Sequence, residues 1–334
     1  MQASSASVMC PRSDTNTSSD FKQALYLLKT NPPEQRLDII MPYSQYVQLE
    51  NNWSNFKPHS EEKRYPSLSY DSLLQIATIV TTQSALHGHT GAIFREIIAS
   101  SVNEYISIHK PGAMPCIRDY GSTTVTDPSP SGLSSKEPDQ SFGYSRPGFK
   151  PRLQVAIECG VSEDYKALCR DKDLWIQHMG AKAVMLICIK EKPHYKSPLT
   201  ACNIEDKVAE VEKMDQYVAK VIAKNWEEDN YSQIEYRGHI WLGKLDEFFV
   251  EVWRAEEQTP VRKWLIRNGR RNPFPRSIGL KISDFFPETE WAACKMPDGN
   301  VRFHGGRKLL LVIPDAMRVT AATRFARFLF PEQA

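Results

Sequence analysis

Apolar positions along the chain recur with two periods, close to 3.6 and 2, and so predict helices interleaved with strands. Phe21 to Leu28 carries a short helical pattern that Asn31-Pro32-Pro33 stops. Between Glu34 and Asn55 apolar and aromatic residues are scattered, and 56–65 is polar and charged, which reads as a loop. Ser69 to His109 is the longest helical stretch. Leu73, Leu74, Ile76, Ile79 and Val80 give its first run, and Ile93, Phe94, Ile97, Ile98, Val102, Tyr105 and Ile106 its second. The spacing predicts two helices with a break near Gly88. Ile117 to Val125 has strand character, and 127–137, rich in Pro, Ser, Gly and charge, reads as a flexible hairpin loop.

A short apolar-polar alternation follows Asp139, and the run Pro151 to Gly160 carries Glu158 near its end. The turn formers Gly143 to Gly148 lie between, so two strands joined by a turn are predicted. Ser162 to Met179 is a helix with Ser162 as its cap and Tyr165, Leu168, Cys169, Trp175, Ile176 and Met179 as one apolar stripe. Lys172 falls inside that stripe and needs a partner there. Ala183 to Ile189 is the continuous apolar run of a buried central strand, completing a βαβ-like unit. Beyond it the pattern predicts a helix over 206–228 and strands at Ile234–Leu242, Phe248–Trp253, Ile278–Ile282 and Leu309–Ile313. A closing helix is predicted over Ala316–Leu329.

Composition narrows the class. The 334 residues are 25% charged and 41% apolar with a net charge of +2, ordinary for a globular chain, so any basic surface must be local. Seven cysteines without a C-x-x-C pair argue against a zinc ribbon or a disulfide scaffold and for reduced thiols. No stretch of about 18 apolar residues occurs, so no membrane span is expected. The first residues lack a basic-then-apolar pattern, so no signal peptide is expected, and nucleus and cytoplasm are the expected locations. Residues 1–20, rich in Ser and Thr, read as a disordered tail, 21–68 as a helical N-terminal extension, and 69–334 as the main domain.

Candidate chemistry centres on Asp139 and Glu158. Two carboxylates at neighbouring strand ends suit a hard divalent cation; a turn residue and a surface ion pair are the plain alternative. Glu96 and Glu104 sit on the expected second helix, as boundary residues or as acids aimed at a site. His87 and His89 flank the expected break, in capping, surface or metal-binding roles. The segment 262–276 carries Arg262, Lys263, Arg267, Arg270, Arg271 and Arg276 with Trp264 and Phe274 interleaved. That is either a solvated face or a nucleic-acid contact, since guanidinium groups hold phosphate and rings stack on bases.

Pro138-Asp139, then Ile157-Glu158-Cys159-Gly160 about twenty residues on, resembles the PD-(D/E)XK restriction-endonuclease-like superfamily. Pro138-Asp139-Gln140-Ser141-Phe142, the Gly160, Ser162 and Glu163 after Glu158, Leu168 and Trp175, and Ile278 to Phe285 resemble its fungal branch. The resemblance spans roughly 70–290. It implies an α/β fold with a central mixed sheet flanked by helices, and Mg²⁺- or Mn²⁺-dependent hydrolysis of nucleic acid, DNA ahead of RNA. Asp139 and Glu158 would hold the metal. The family places a lysine two residues after its glutamate, and here that position is Gly160. A lysine on the following helix would have to stand in, Lys172 first and Lys166 second, and the first helix could add Glu96 or Glu104. Without such a lysine the chain is expected to be an inactive relative that binds nucleic acid or protein. A homo-oligomer is left open.

Overall fold

The computed structural model describes residues 17–32, 34–56, 66–81, 83–111, 117–126, 128, 132–146, 151–198, 206–227, 231–257 and 259–330. It opens with helix α1 (Thr17–Thr30), strand β1 (Arg36–Ile40), helix α2 (Tyr43–Phe56) and the hairpin β2 (Ser67–Asp71) and β3 (Ile76–Val80). The tail expected over 1–20 lies outside the described residues as far as residue 16, and Thr17 onward is helical. The loop at 56–65 lies outside them from residue 57.

The helix expected from Ser69 is a hairpin instead. Leu73 and Leu74 are exposed turn residues, Gln75 turns the chain with φ of +54°, and Ile76, Thr78, Ile79 and Val80 are the β-branched residues that favour a pleated strand. Helix α3 (Ala85–His109) is continuous and unbroken at Gly88. The Ser84 side chain caps it by accepting from the His87 amide, and a single glycine inside a helix costs only about 1 kcal/mol.

Next come β4 (Ile117–Asp119), β5 (Val125–Thr126), β6 (Ser135–Lys136), β7 (Gln140–Tyr144), β8 (Arg152–Val161), α4 (Tyr165–Gln177), β9 (Ala183–Lys192) and α5 (Lys207–Glu227). The strand expected over 117–125 is thus divided between β4 and β5. The hairpin loop expected over 127–137 ends in the paired strand β6, with 127 and 129–131 outside the described residues. Asp164, not Ser162, caps α4; Ser162 sits at the corner with φ of +57° and gives its hydroxyl to Glu191.

The chain continues through β10 (Ile234–Tyr236), β11 (His239–Leu242), β12 (Lys244–Arg254), β13 (Lys263–Arg267), β14 (Arg270–Arg271) and β15 (Ser277–Lys281). After a 3₁₀ turn at Ile282–Phe285 come α6 (Glu288–Cys294), β16 (Asn300–Arg302) and α7 (Gly306–Leu329). The strand expected at Leu309–Ile313 is part of α7: Leu309 and Ile313 are buried one turn apart while Leu311 faces water.

Seven strands form the central mixed sheet in the order β14-β13-β12-β9-β8-β7-β4, with β8 and β9 parallel and the other pairs antiparallel. Side chains alternate along β8 and β9. Val155, Ile157, Met185 and Ile187 pack under α3 and α7; Ala156, Val184 and Leu186 pack under Leu168 and Trp175 of α4. A smaller sheet, β1-β3-β2-β6-β5, joins α1 and α2 around its own core of Leu28, Met41, Leu49, Tyr70 and Ile79. The fold is therefore α/β, a large mixed sheet flanked by helices, carrying an N-terminal unit with a separate core. No helix of the described residues is long and apolar enough to cross a membrane.

Candidate active site

The two sheets meet where β6 runs into β7, and the candidate site lies at that junction. The antiparallel register pairs Gln140 with Ile157, so one step further Asp139 stands opposite Glu158. Both carboxylates are buried, 6% and 5% exposed. The Cys159 amide donates to Asp139 Oδ2 at 2.8 Å, His87 Nε2 lies 3.1 Å from the same oxygen, and Gln83 donates to Oδ1 at 3.3 Å. Gln83 and His87 come from the start of α3, whose positive dipole end favours an anion nearby.

Glu158 points to the α4 face of the sheet and accepts from the indole N–H of Trp175. The Lys136 ammonium lies 3.5 Å from Glu158 Oε1 and 3.2 Å from Asp171 Oδ2, and is itself buried. Lys136 belongs to β6 of the small sheet, three residues before Asp139. From β1 of that sheet Arg36 reaches across to Asp171, at 2.7 and 3.1 Å, and to Glu163 at 2.6 Å. The small sheet thus supplies both cations, while the large sheet and the β8–α4 segment supply four acids.

This charge balance shapes the titration. Burial, reinforced by Asp139 and Asp171 against the pull of Lys136, pushes Glu158 up to about 8. Burial works against the charge of Asp171, yet Lys136 and Arg36 hold it below the usual carboxylate range. Burial likewise opposes the Lys136 charge and is outweighed by Asp171 and Glu158, so its ammonium is retained. With all acids ionised the cluster would carry two uncompensated negative charges; a proton on Glu158 is one way to reduce that repulsion and a divalent cation is another.

The lysine expected two residues after Glu158 has no room. A Cβ on Gly160 would come within 2.6 Å of Leu168 Cδ1 and 3.1 Å of Glu163 Oε2, so α4 lies directly on this position. Lys172 does not replace it. Its ammonium sits 4.2 Å over the Trp253 ring on β12 and 2.6 Å from Asp173, turned along α4 toward β12 instead of toward β7. The stripe position was sound, but the partner is an aromatic ring. Glu96 and Glu104 are also remote from the junction: both are more than half exposed, with Lys308 and His304 as neighbours.

The basic hairpin lies elsewhere. β13 and β14 are three and four strands from β8, about 14 to 19 Å at ordinary strand spacing. Within it Arg262 stacks 3.8 Å over Phe249 and donates to the buried Glu251, Arg267 lies over Trp264, and Lys263, Arg270 and Arg271 lie along the two strands. The structure therefore does not bring Arg262, Lys263, Arg267, Arg270 and Arg271 to the carboxylates.

Sequence reasoning missed Lys136, Arg36, Gln83 and Asp171. Asp171 had a signal, an acid four residues before Trp175 on the inward face of α4, and Arg36 shares a strand face with Asp38. Lys136 had none, because a two-residue strand carries no period. A small cavity of about 40 Å³ is lined by Asp139, Glu158, Lys136, Arg36, Glu163 and Asp171, room for a water or a bare ion. Among the described residues no three His, Cys, Asp or Glu side chains converge to hold a metal ion. The oxygen donors Asp139 and Glu158, beside that cavity and in surplus of negative charge, do suit Mg²⁺ or Mn²⁺ bound by two carboxylates with water.

No protein-family model matches this chain, and no curated protein matches it. Among solved structures, one chain from Anabaena variabilis ATCC 29413, described as a candidate nuclease belonging to DUF820, aligns over 74% of this chain and 97% of its own. The identity is 12% and the TM-score 0.33.

Proposed function

We propose that this protein is a metal-dependent nuclease hydrolysing phosphodiester bonds. The observation that carries this reading is the assembly of Asp139, Glu158 and Lys136 at one sheet junction, with Lys136 arriving from upstream of the aspartate where Gly160 leaves no space. The resemblance to the fungal branch rests on the motif residues of the sequence and belongs to the same proposal.

Asp139 and Glu158 would hold the cation, and the chemistry gained on binding it is polarisation of a phosphoryl oxygen and a bound water of lowered pKa. The protein's own residues do the rest. The Cys159 amide, His87 and Gln83 fix Asp139, and the Trp175 indole fixes Glu158. The Lys136 ammonium is placed to offset negative charge that develops on the phosphate. A retained fold that binds without cutting is the second reading, favoured by the occupation of both Asp139 oxygens by protein donors.

Calorimetry with Mn²⁺, followed by cleavage of labelled oligonucleotides, separates the two. Wild type is expected to bind metal and cut; Asp139→Ala with Glu158→Ala is expected to lose metal binding. Lys136→Met is expected to keep metal and lose at least about a hundredfold in rate, the usual scale for removing one charge-stabilising donor. Absence of metal binding by wild type, even with oligonucleotide present, would sink the nuclease reading.

A further inference from the structure

A cleft of about 1040 Å³ runs between the N-terminal unit and the core. Arg36, Val80, Gln83 and Glu163 line both this cleft and the small cavity at the carboxylates, so they form the doorway between the two. Beyond that doorway the wall carries Tyr26 of α1, Tyr195 after β9, and Arg327 and Phe328 of α7.

The acids of the wall are engaged. Glu34 and Glu191 hold Arg324, Asp38 holds Arg170, Glu163 holds Arg36, and Asp164 caps α4. Arg327, half-buried in the wall, makes no hydrogen bond or ion pair among the described residues. The charge left without a protein partner is therefore positive, and aromatic rings surround it. A guanidinium beside stacking rings is how single-stranded nucleic acid is gripped without regard to sequence.

We infer that this cleft binds a single-stranded nucleic-acid end, with a base against the Tyr26 and Phe328 rings and a backbone phosphate on Arg327, and that it excludes the duplex. The inference rests on the nuclease reading for what happens at the doorway, and on the cleft alone for what binds. The volume is that of a small-molecule pocket, enough for a nucleotide or two. A duplex keeps its phosphates on the outside of a wide, stiff cylinder, and Asp139 and Glu158 are 6% and 5% exposed behind the Arg36 doorway. A thin, flexible strand can be fed to them; a duplex surface cannot.

Fluorescence polarisation tests this in EDTA, with a labelled oligothymidylate of about eight nucleotides and a blunt duplex of the same length. The single strand is expected to bind at least about tenfold tighter than the duplex. Arg327→Ala and Tyr26→Ala are each expected to weaken it by about tenfold, the loss of one phosphate contact or one stacked base. Both side chains lack a structural partner inside the core, so the thermal midpoint is expected to stay at the wild-type value. Equal affinity for duplex and single strand, no binding of either, or an Arg327→Ala protein that binds like wild type would overturn the assignment. Cleavage with Mn²⁺ is scored separately. A strand that binds through Arg327 and is not cut overturns the nuclease reading alone. A duplex that is cut equally by wild type and Arg327→Ala overturns the cleft alone.

Discussion

Glu158 is the residue on which the site's electrostatics turn. It lies on the buried face of β8, with Trp175 and Lys136 on its oxygens and Asp139 and Asp171 as like-charged neighbours. Its folded value of about 8 stands above the ordinary carboxylate value of 4.5. Between those two pH values the unfolded chain has released a proton that the folded chain keeps. Stability from this group is therefore fully present below about 4.5 and is lost as pH rises through about 8. In metal-free buffer, urea unfolding of wild type is expected to lose stability between pH 5 and pH 8 relative to Glu158→Gln, which cannot ionise. Parallel pH profiles for the two proteins would show that burial does not hold this carboxyl protonated. Asp139 and Glu158 themselves were legible in the sequence, because an aspartate before one short strand and a glutamate at the end of the next must meet across an antiparallel register. Lys136 was not legible. Nothing in the order of residues says that a lysine before a proline will turn back under the sheet.

At the scale of elements, the packing of α4 on β8 decides which residues can reach the site. The helix was legible from its stripe, and so was the strand–helix–strand unit. The direction of each stripe residue was not: Asp171 and Trp175 turn toward Glu158, while Lys172, one residue from Asp171, turns over Trp253. A step of about 100° per residue separates these fates, and apolar periodicity does not resolve it. The close approach of Leu168 makes Gly160 a packing residue. Gly160→Lys, which restores the family's lysine position, is expected to destabilise the protein by about 1–3 kcal/mol through overpacking, read as a lower urea midpoint at unchanged slope. It is also expected not to rescue Lys136→Met. A Gly160→Lys protein of wild-type stability would show that α4 yields readily. The misread hairpin β2–β3 has the same origin as Lys172. Five apolar residues in twelve fit a helix and a hairpin alike, and the turn at 72–75 decides between them.

Across the whole molecule, two separately cored units are joined by charge. The N-terminal core of Leu28, Leu49 and Ile79 does not merge with the core under α3 and α7. Between them lie the large cleft, the bridges from Arg36 to Asp171 and Glu163, and the Arg324–Glu34 pair. Interfaces of this polar kind permit relative motion. Arg36→Ala leaves Asp171 and Glu163 buried with less compensation, a change that typically costs about 3–5 kcal/mol. Hydrogen exchange is expected to speed up at amides of β1 and β3 and to remain unchanged at β8 and β9. A uniform increase over both sheets would mean that the two units open as one.

Local order in the sequence determined the central elements of this protein: the Asp139 and Glu158 strands, the α4 stripe, the buried β9 and the α/β class that follows from them. These depend on periodicity within ten to twenty residues, which the chain carries by itself. The tertiary structure decided what surrounds the two carboxylates. Arg36 is about a hundred residues from Asp139 in sequence, and Lys136 lies on a strand of a different sheet. Both reach the site because two apolar cores fold separately and leave their charged edges facing one another. Burial then forces those edges to pair, since an isolated charge in that place would be too costly to keep.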